Sequence, residues 1–332
     1  MRIAYFDCFS GISGEMALGA LVGAGAELGA ISEALQSLPT PRVTLEAEQS
    51  EVRGIAATRV HLRWDADGII RTYANLRAMI QESPLPPGPK ATVQRILRRL
   101  AEADARTKGK DADVVTFHDY GEVASVVEIV GCAMALHQLE VERVFASPVP
   151  TGLGMARTEH GIMPIPSPVV IDLLQGVPTY SRGIPVELVT PVGAALLSSV
   201  AEGFGDLPMM RAERIGYGAG SLRLDFPNVL RVVLGDEERG VFGSAVSSSM
   251  LVETVMAGVG PEAAGGLLQD AVDAGALDAW AGPVVTRSGP ATLVSVVVTE
   301  ARREAVVAVL TEHPDRTGTV RVIPITVASP GR

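Results

Sequence analysis

The residues with the clearest chemical potential lie at the start of the chain, in Asp7-Cys-Phe-Ser-Gly-Ile-Ser-Gly-Glu-Met16. A short apolar run predicts a strand that ends on Asp7, and a Ser/Gly loop then leads into an apolar stretch typical of a helix. Free backbone N–H groups at a helix N-terminus attract phosphate, and a carboxylate beside them can hold a divalent cation. The loop completes neither a dinucleotide fingerprint nor a Walker motif, so an ordinary strand–helix turn is the alternative.

A second group of polar residues precedes a predicted helix, in Phe117-His-Asp-Tyr-Gly-Glu122. At such a position Asp119 can cap the helix, and a neutral His118 can bind a metal or transfer a proton. Glu128 lies about one helical turn beyond Ala124, so the polar face of the helix would direct a carboxylate toward whatever His118 faces. The alternative is a capped surface helix in which His118 is an ordinary loop residue.

A third candidate is the stretch over residues 147–166, which is rich in Pro and Gly. Thr151 and Gly152 allow a backbone to approach an anion closely, and Arg157 can pair with that anion. His160 is far from His118 in sequence, so the two side chains could lie close together only in the folded protein. The alternative is a Pro-rich loop that crosses a sheet.

Thr190 is followed by Pro191, a pair typical of an N-cap and the first residue of a helix. A helix start is a sufficient explanation of this pair, although the same helix N-terminus could bind an anion. His61 and His137, in a predicted strand and a predicted helix, are interpreted as structural.

The composition is that of a globular protein, and it narrows the classes of function. The chain has 332 residues, enough for about two domains, with 47% hydrophobic and 20% charged residues. A net charge of −10 argues against binding to bulk nucleic acid or to an anionic membrane surface. Cys8 and Cys132 form no disulfide or metal pattern, and no signal peptide is evident, so we expect a cytoplasmic protein.

The candidate residues are positioned by a chain that divides into two predicted domains. Residues 1–235 form the domain with the nucleotide, metal and catalytic candidates, residues 236–249 form a charged and then Gly/Ser-rich linker, and residues 250–332 form the second domain. The second domain follows the order β-α-β-β-α-β, which is typical of ferredoxin-like domains. Its strands are predicted over residues 250–256, 277–286, 292–299 and 319–327, and its helices over 262–274 and 301–311.

The first domain is less regular, and its pattern predicts an α+β fold of α/β type. Helices are predicted over residues 13–25, 27–38, 70–82, 90–108 and 123–139. Strands are predicted over residues 42–48, 56–64, 144–150, 162–166, 210–218 and 229–234, with the first two paired. The Pro-rich segment over residues 84–89 is predicted to be a rigid connector.

Taken together, these motifs resemble the LarC family, the nickel-insertion proteins that complete the nickel-pincer nucleotide cofactor of lactate racemase. The resemblance runs along most of the chain, and several separate motifs in the same order are more specific than any one of them. The motifs are the opening loop 7–16, Phe117-His-Asp119, residues 125–131, Ser147-Pro with Thr151-Gly, His160-Gly and Pro164, residues 187–193, residues 215–220, residues 227–231 and residues 275–278.

The resemblance implies a CTP-dependent metallation. In the family, CTP with a divalent metal, Mg or Mn, activates pyridinium-3,5-bisthiocarboxylic acid mononucleotide. Nickel is then inserted with formation of a carbon–nickel bond, and CMP and pyrophosphate leave. Carried over to this chain, the metal residues would be Asp7, Glu15 and His118, and the catalytic residues His118, Asp119 and Glu128. The nucleotide residues would be Ser10, Gly11, Ser13, Gly14, Thr151, Gly152, Arg157, His160 and Thr190. We also expect a homo-oligomer formed through the second domain.

The chain departs from the family's pattern at several positions. Ala124 stands where the family usually has Asp, so Glu128 lacks a second carboxylate one turn away. Residues 65–70 contain no histidine, and residues 253–259 keep the Glu and Thr of the family motif but lose its Asn and Asp residues. Fewer oxygen ligands and imidazoles weaken binding of hard cations and of nickel. Two alternatives therefore remain: a divergent paralogue that uses CTP to activate a related pyridinium or acid substrate without nickel insertion, and a non-catalytic protein that carries metal or nucleotide or supports assembly.

Overall fold

The candidate residues of the opening loop belong to the larger of two units. In the computed structural model these units are Met1–Glu238 and Arg239–Arg332, and each is considered by itself. The structure describes residues 1–65, 69–117, 122–158, 161–238, 249–257, 260, 264–299, 302–312 and 320–325. Among these residues, no helix is both long enough and apolar enough to cross a membrane.

The first unit mixes strands and helices along the chain, as its pattern predicts. Its strands are β1 Arg2–Asp7, β2 Val43–Val52, β3 Ile55–Trp64, β4 Arg143–Ala146, β5 Val149–Thr151, β6 Met155–Thr158, β7 Gly161–Pro164, β8 Thr179–Ser181, β9 Ala201–Phe204, β10 Met210–Ala219 and β11 Val229–Glu237. Its helices are α1 Gly14–Gly23, α2 Leu28–Gln36, α3 Tyr73–Glu82, α4 Pro87–Lys108, α5 Glu122–Gln138, α6 Pro168–Leu173 and α7 Pro191–Val200.

Seven of these strands form one mixed sheet in the order β2-β3-β10-β11-β1-β4-β9. β1 lies inside the sheet, antiparallel to β11 and parallel to β4. Its residues Ile3, Ala4 and Phe6 are fully buried, which explains their unbroken apolar run, because a strand covered on both faces needs no polar alternation. The loop from Asp7 to α1 therefore leaves the sheet at an interior strand. The predicted pairing of the two early strands is confirmed, since β2 and β3 are antiparallel along their whole length.

Four helices pack together beside this sheet and position the site. α1 packs against α5, α5 against α4, and α4 against α7. α5 is apolar along most of its length, and Val127 and Ile129 are almost completely buried. Glu128, the ionisable residue between them in sequence, is only half-buried and lines a cavity beside the helical layer. This placement differs from the alternative of a solvated surface helix.

Two of the predicted boundaries that differ from the structure are explained by proline. α4 begins at Pro87, inside the predicted connector, because a proline is tolerated in the first helical turn, where its missing N–H has no partner to lose. The predicted strand over residues 144–150 is two strands, β4 and β5. Pro148 lies between them and cannot donate a ladder hydrogen bond.

The second unit has its own sheet and its own core. Its elements are β12 Ser249–Ala257, α8 Gly265–Asp273, β13 Asp278–Thr286, β14 Gly289–Thr299, α9 Arg303–Glu312 and β15 Arg321–Ile325. The four strands are antiparallel in the order β13-β14-β12-β15. Val294, Val296 and Val298 lie on one face of β14 and form a core with Leu267 of α8 and Val306 and Leu310 of α9.

Candidate functional site

The opening loop is fastened to the segment that precedes α7. The Ile12 N–H donates to the Leu188 carbonyl at 2.9 Å, and the Thr190 N–H donates to the Ile12 carbonyl at 3.0 Å. Gly11 has a φ of +95°, and a Cβ there would lie 1.9 Å from the Leu188 oxygen, so the contact requires glycine. These bonds bring the starts of α1 and α7 side by side.

Each of these two helix starts is capped by a side-chain hydroxyl. The Ser13 hydroxyl accepts from the Met16 N–H at 3.1 Å, and the Thr190 hydroxyl accepts from the Gly193 N–H at 3.2 Å. The predicted helix start at Thr190 is thereby confirmed. Two adjacent N-termini place the positive ends of two helix dipoles in one region.

A cavity of about 1030 Å³ opens beside these helix starts. Its wall is formed by the first residues of α1, α6 and α7, the middle of α5, the C-terminal end of α4 and the β6–β7 hairpin. Four of the predicted site residues line it, namely Ser13, Glu15, Glu128 and Thr190. The volume is sufficient for a ligand of nucleotide size.

Two carboxylates share the α1–α5 wall of this cavity. Burial, together with the charge of Glu15, raises the pKa of Glu128 to about 8. One oxygen of Glu15 accepts the Ser221 N–H at 2.8 Å. A Cβ at Gly14 would lie 2.1 Å from the Glu128 Oε2, so the close approach of α1 to α5 depends on that glycine. Glu128 can thus bind or release a proton near neutral pH.

A third carboxylate, Glu187, lines the cavity just before α7. Burial raises its pKa, and the hydroxyl of Ser167 opposes that increase. Glu187 is absent from the predicted site residues, because its surroundings in the sequence are explained by a helix start. Its place in the cavity wall depends on the nearness of the α6 region, which is distant in sequence. No pattern in the neighbouring residues predicts this.

A charged pair at the end of α4 is also absent from the predicted site residues. The Lys108 ammonium lies 2.9 Å from the Asp104 carboxylate, whose side chain is 0% exposed, and both residues line the cavity. A signal was available: Asp104 follows Leu97 and Leu100 along the buried face of α4, and a charge on an apolar helix face requires a partner.

Asp7 has a different environment from the cavity carboxylates. The Arg231 guanidinium of the neighbouring strand donates to it, with Nε 3.0 Å from the Asp7 Oδ2. Asp7 does not belong to the described cavity wall, and nor do Ser10, Gly11 and Gly14. The Ser10 hydroxyl donates to the Pro227 carbonyl at 2.6 Å. An Asp neutralised by Arg attracts a cation less strongly than an unpaired Asp.

The third candidate stretch is divided between the protein interior and its surface. Thr151 is buried and donates to the Tyr180 carbonyl at 3.4 Å, and Gly152 packs against the Val186 carbonyl. Ala156 and Thr158 of β6 line the cavity. Arg157 alternates with them along the strand and is exposed, so its side chain lies on the opposite face of the hairpin.

The remaining candidates, His118, Asp119 and His160, lie outside the residues that the structure describes. Within the described part of the chain, no three His, Cys, Asp or Glu side chains are grouped closely enough to hold a metal ion.

The sequence of the chain is similar to proteins of one known family. A family model described as "Nickel insertion protein" matches residues 4–327. Two proteins of Desulfitobacterium hafniense, strains DCB-2 and Y51, are each named pyridinium-3,5-bisthiocarboxylic acid mononucleotide nickel insertion protein. Each is 35% identical over 98% of this chain and 82% of its own length. A protein of Geobacter metallireducens, provisionally named a nickel insertion protein, is 38% identical over 98% of this chain and 83% of its own.

Proposed function

The chain belongs to the nickel insertion protein family, and on this premise we propose that it inserts nickel into pyridinium-3,5-bisthiocarboxylic acid mononucleotide in a CTP-dependent reaction. Nickel is a substrate of this reaction, and the chain acts as a CTP-dependent nickel insertase of lyase type. The observation that carries the proposal is the cavity beside the starts of α1 and α7, because it combines a nucleotide-sized volume with the titratable Glu128.

In this proposal Glu128 acts on a proton. The ring carbon that bonds to nickel must lose its hydrogen as a proton, and a carboxylate with a pKa of about 8 can accept that proton near neutral pH. As long as no cation is bound to Glu15, its negative charge favours the protonated form of Glu128. His118 and Asp119 are proposed as further acid–base groups on the strength of the family resemblance alone.

Glu15 also fits the divalent cation that would accompany CTP. Magnesium is commonly held in proteins by one or two carboxylates together with substrate phosphates, and Glu15 supplies such a carboxylate at the start of α1. When bound, Mg or Mn would offset the charge of the phosphates. Ser13 and Thr190 keep the two helix starts in place, so that the N-terminal dipoles face the same anionic groups.

We assign the second unit the predicted ferredoxin-like fold. Support comes from the element order β12-α8-β13-β14-α9-β15 and from the strand order β13-β14-β12-β15. We further propose that this unit forms a homo-oligomer in the cytoplasm and that the chain has the two predicted domains, with β11 extending to Glu237 and β12 beginning at Ser249.

A second candidate function is CTP-dependent activation of a related pyridinium or acid substrate without nickel insertion. One observation favours it. Glu253, the carboxylate kept in the altered family motif, is paired with Arg321 at 3.1 Å and accepts a hydrogen bond from Ser295. It therefore offers a metal ion less negative charge than an unpaired carboxylate would.

The two functions are separated by incubating the pure protein with CTP, magnesium, nickel and the pyridinium mononucleotide. Pyrophosphate release with a nickel-containing product, detected by mass spectrometry, supports the first function. Pyrophosphate without nickel in the product supports the second. Release of neither product would contradict both and favour a non-catalytic carrier or assembly protein. A Glu15→Gln variant should need more magnesium for the same rate, whereas Glu33→Gln, on the exposed side of α2, should not.

A further inference from the structure

The cavity has walls of opposite charge. Glu15, Glu128 and Glu187 line it from α1, α5 and the segment before α7, whereas Lys108 and Lys110, together with the paired Asp104, line it from the end of α4. Since the proposed substrate carries a phosphate and two thiocarboxylic acid groups, its anionic parts are repelled by the first wall. We infer that Lys108 binds the phosphate of the pyridinium mononucleotide, held in place by Asp104. This inference rests on the proposed substrate.

The burial of Asp104 is the reason to assign Lys108 more than a helix-capping role. A lysine near a helix C-terminus is stabilised by the helix dipole, and an exposed acid four residues earlier would be a sufficient partner. Here the carboxylate is 0% exposed and the ammonium 25% exposed. Burying a carboxylate is costly unless it is paired, and Lys108 is the partner of Asp104. The ammonium is the more exposed member of this pair, so it is the member that an anion in the cavity can reach.

The position of the pair also orients the substrate. A phosphate at the end of α4 leaves the pyridinium ring to extend toward the α1–α5 wall, where Glu128 lies. The pyridinium cation offsets part of the charge of the two thiocarboxylates, so the carboxylates repel the ring end of the substrate less than they repel the phosphate. The charge pattern of the cavity therefore favours one direction of binding, and Lys108 is a specificity-determining residue rather than a catalytic one.

The test compares two ligands that differ only in the phosphate: nicotinic acid mononucleotide, a pyridinium mononucleotide, and its riboside. Calorimetry gives the affinity of each for the full-length protein without CTP or nickel. In the wild type the mononucleotide should bind about tenfold more tightly or better, as a charge-assisted contact allows. Lys108→Met should remove most of this phosphate-dependent increment and leave the affinity for the riboside unchanged.

Two further variants keep the result interpretable. Asp104→Asn/Lys108→Met removes both charges together, so no buried charge is left unpaired if Lys108→Met alone fails to fold. Lys90→Met is the matched control, since Lys90 lies at the other end of α4 and donates to the Gln81 and Ser83 carbonyls. The inference is overturned if the wild type binds both ligands equally or neither, if the increment survives loss of Lys108, or if Lys90→Met reduces it as much. Normal binding without nickel insertion would count against the proposed function and leave this inference intact.

Discussion

Asp7 and Glu128 were both predicted as site carboxylates, but they lie in opposite electrostatic environments. Asp7 ends an interior strand and is paired with Arg231 from the neighbouring strand. Glu128 lies between buried apolar residues of α5 and faces a second carboxylate. The first arrangement stabilises a fixed negative charge, and the second leaves a proton equilibrium near neutral pH. Of the two, only Glu128 is equipped for proton transfer.

The largest expected effect is on catalysis. Glu128→Gln keeps the shape of the side chain but removes the proton acceptor, so the rate of nickel insertion should fall by about a hundredfold or more. Asp7→Asn should reduce the rate far less. Both rates are measured under the same conditions, with circular dichroism to confirm folding. If the rate of nickel insertion fell equally in the two variants, the proposed difference in function between Asp7 and Glu128 would be contradicted.

The pH dependence of the unfolding free energy provides a second test of the difference between the environments of Asp7 and Glu128. The folded-state pKa of Glu128 is about 8, compared with roughly 4.3 for an unfolded glutamate. Between these values the folded state keeps a proton that the unfolded state has released. The stabilisation is therefore fully present below the unfolded value and is lost as the pH rises through the folded one, with a slope approaching roughly 1.4 kcal/mol per pH unit.

Urea denaturation at a series of pH values measures this slope. Glu128→Gln should remove the contribution, and the exposed Glu33→Gln should leave it unchanged. The difference in unfolding free energy between the wild type and Glu128→Gln cancels the contributions of the other titrating groups. If this difference is constant between pH 5 and 8, the raised pKa of Glu128 is contradicted.

The close approach of α1 to α5 is tested by a pair of glycines. A Cβ at Gly14 would lie 2.1 Å from the Glu128 Oε2, whereas a Cβ at Gly29 of α2 would meet nothing within 4 Å. Gly14→Ala should destabilise the protein by about 1–3 kcal/mol and displace Glu128. Gly29→Ala should be neutral or stabilise by about 0.5–1 kcal/mol. Similar midpoints of thermal unfolding for the two variants would show that the helices can separate freely.

How far the sequence predicts the structure depends on how local each signal is. The strand, loop and helix at the opening segment and the cap at Thr190 are encoded by adjacent residues, and the structure contains them. The alternation of elements in the second unit is equally local. The start of α4 differs from the prediction because the effect of a proline on a helix depends on which helical turn the proline occupies.

The cavity itself depends on contacts between residues far apart in sequence. Glu187 faces Ser167 only because α6 and α7 are neighbours, and no spacing along the chain records this. In the sequence Asp7 has the features of a metal ligand, and only the structure shows that Arg231 is its partner. Asp104 is the intermediate case, since its place on an apolar helix face was visible in the sequence and only its partner and the cavity were not.

The smallest expected effect concerns Asp7. Asp7→Asn removes one partner of an ion pair in which Arg231 is 42% exposed, so the arginine can regain water and the loss of stability should be only about 1 kcal/mol. A double-mutant cycle with Arg231→Gln, measured by urea denaturation, should give a coupling energy of about 0.5–1 kcal/mol. If Asp7 were instead a metal ligand, Asp7→Asn would abolish nickel insertion, the coupling energy would be near zero, and Arg231→Gln would leave the reaction intact. The cycle thus decides whether Asp7 stabilises the pairing of β1 with β11 or takes part in the chemistry assigned to Glu128.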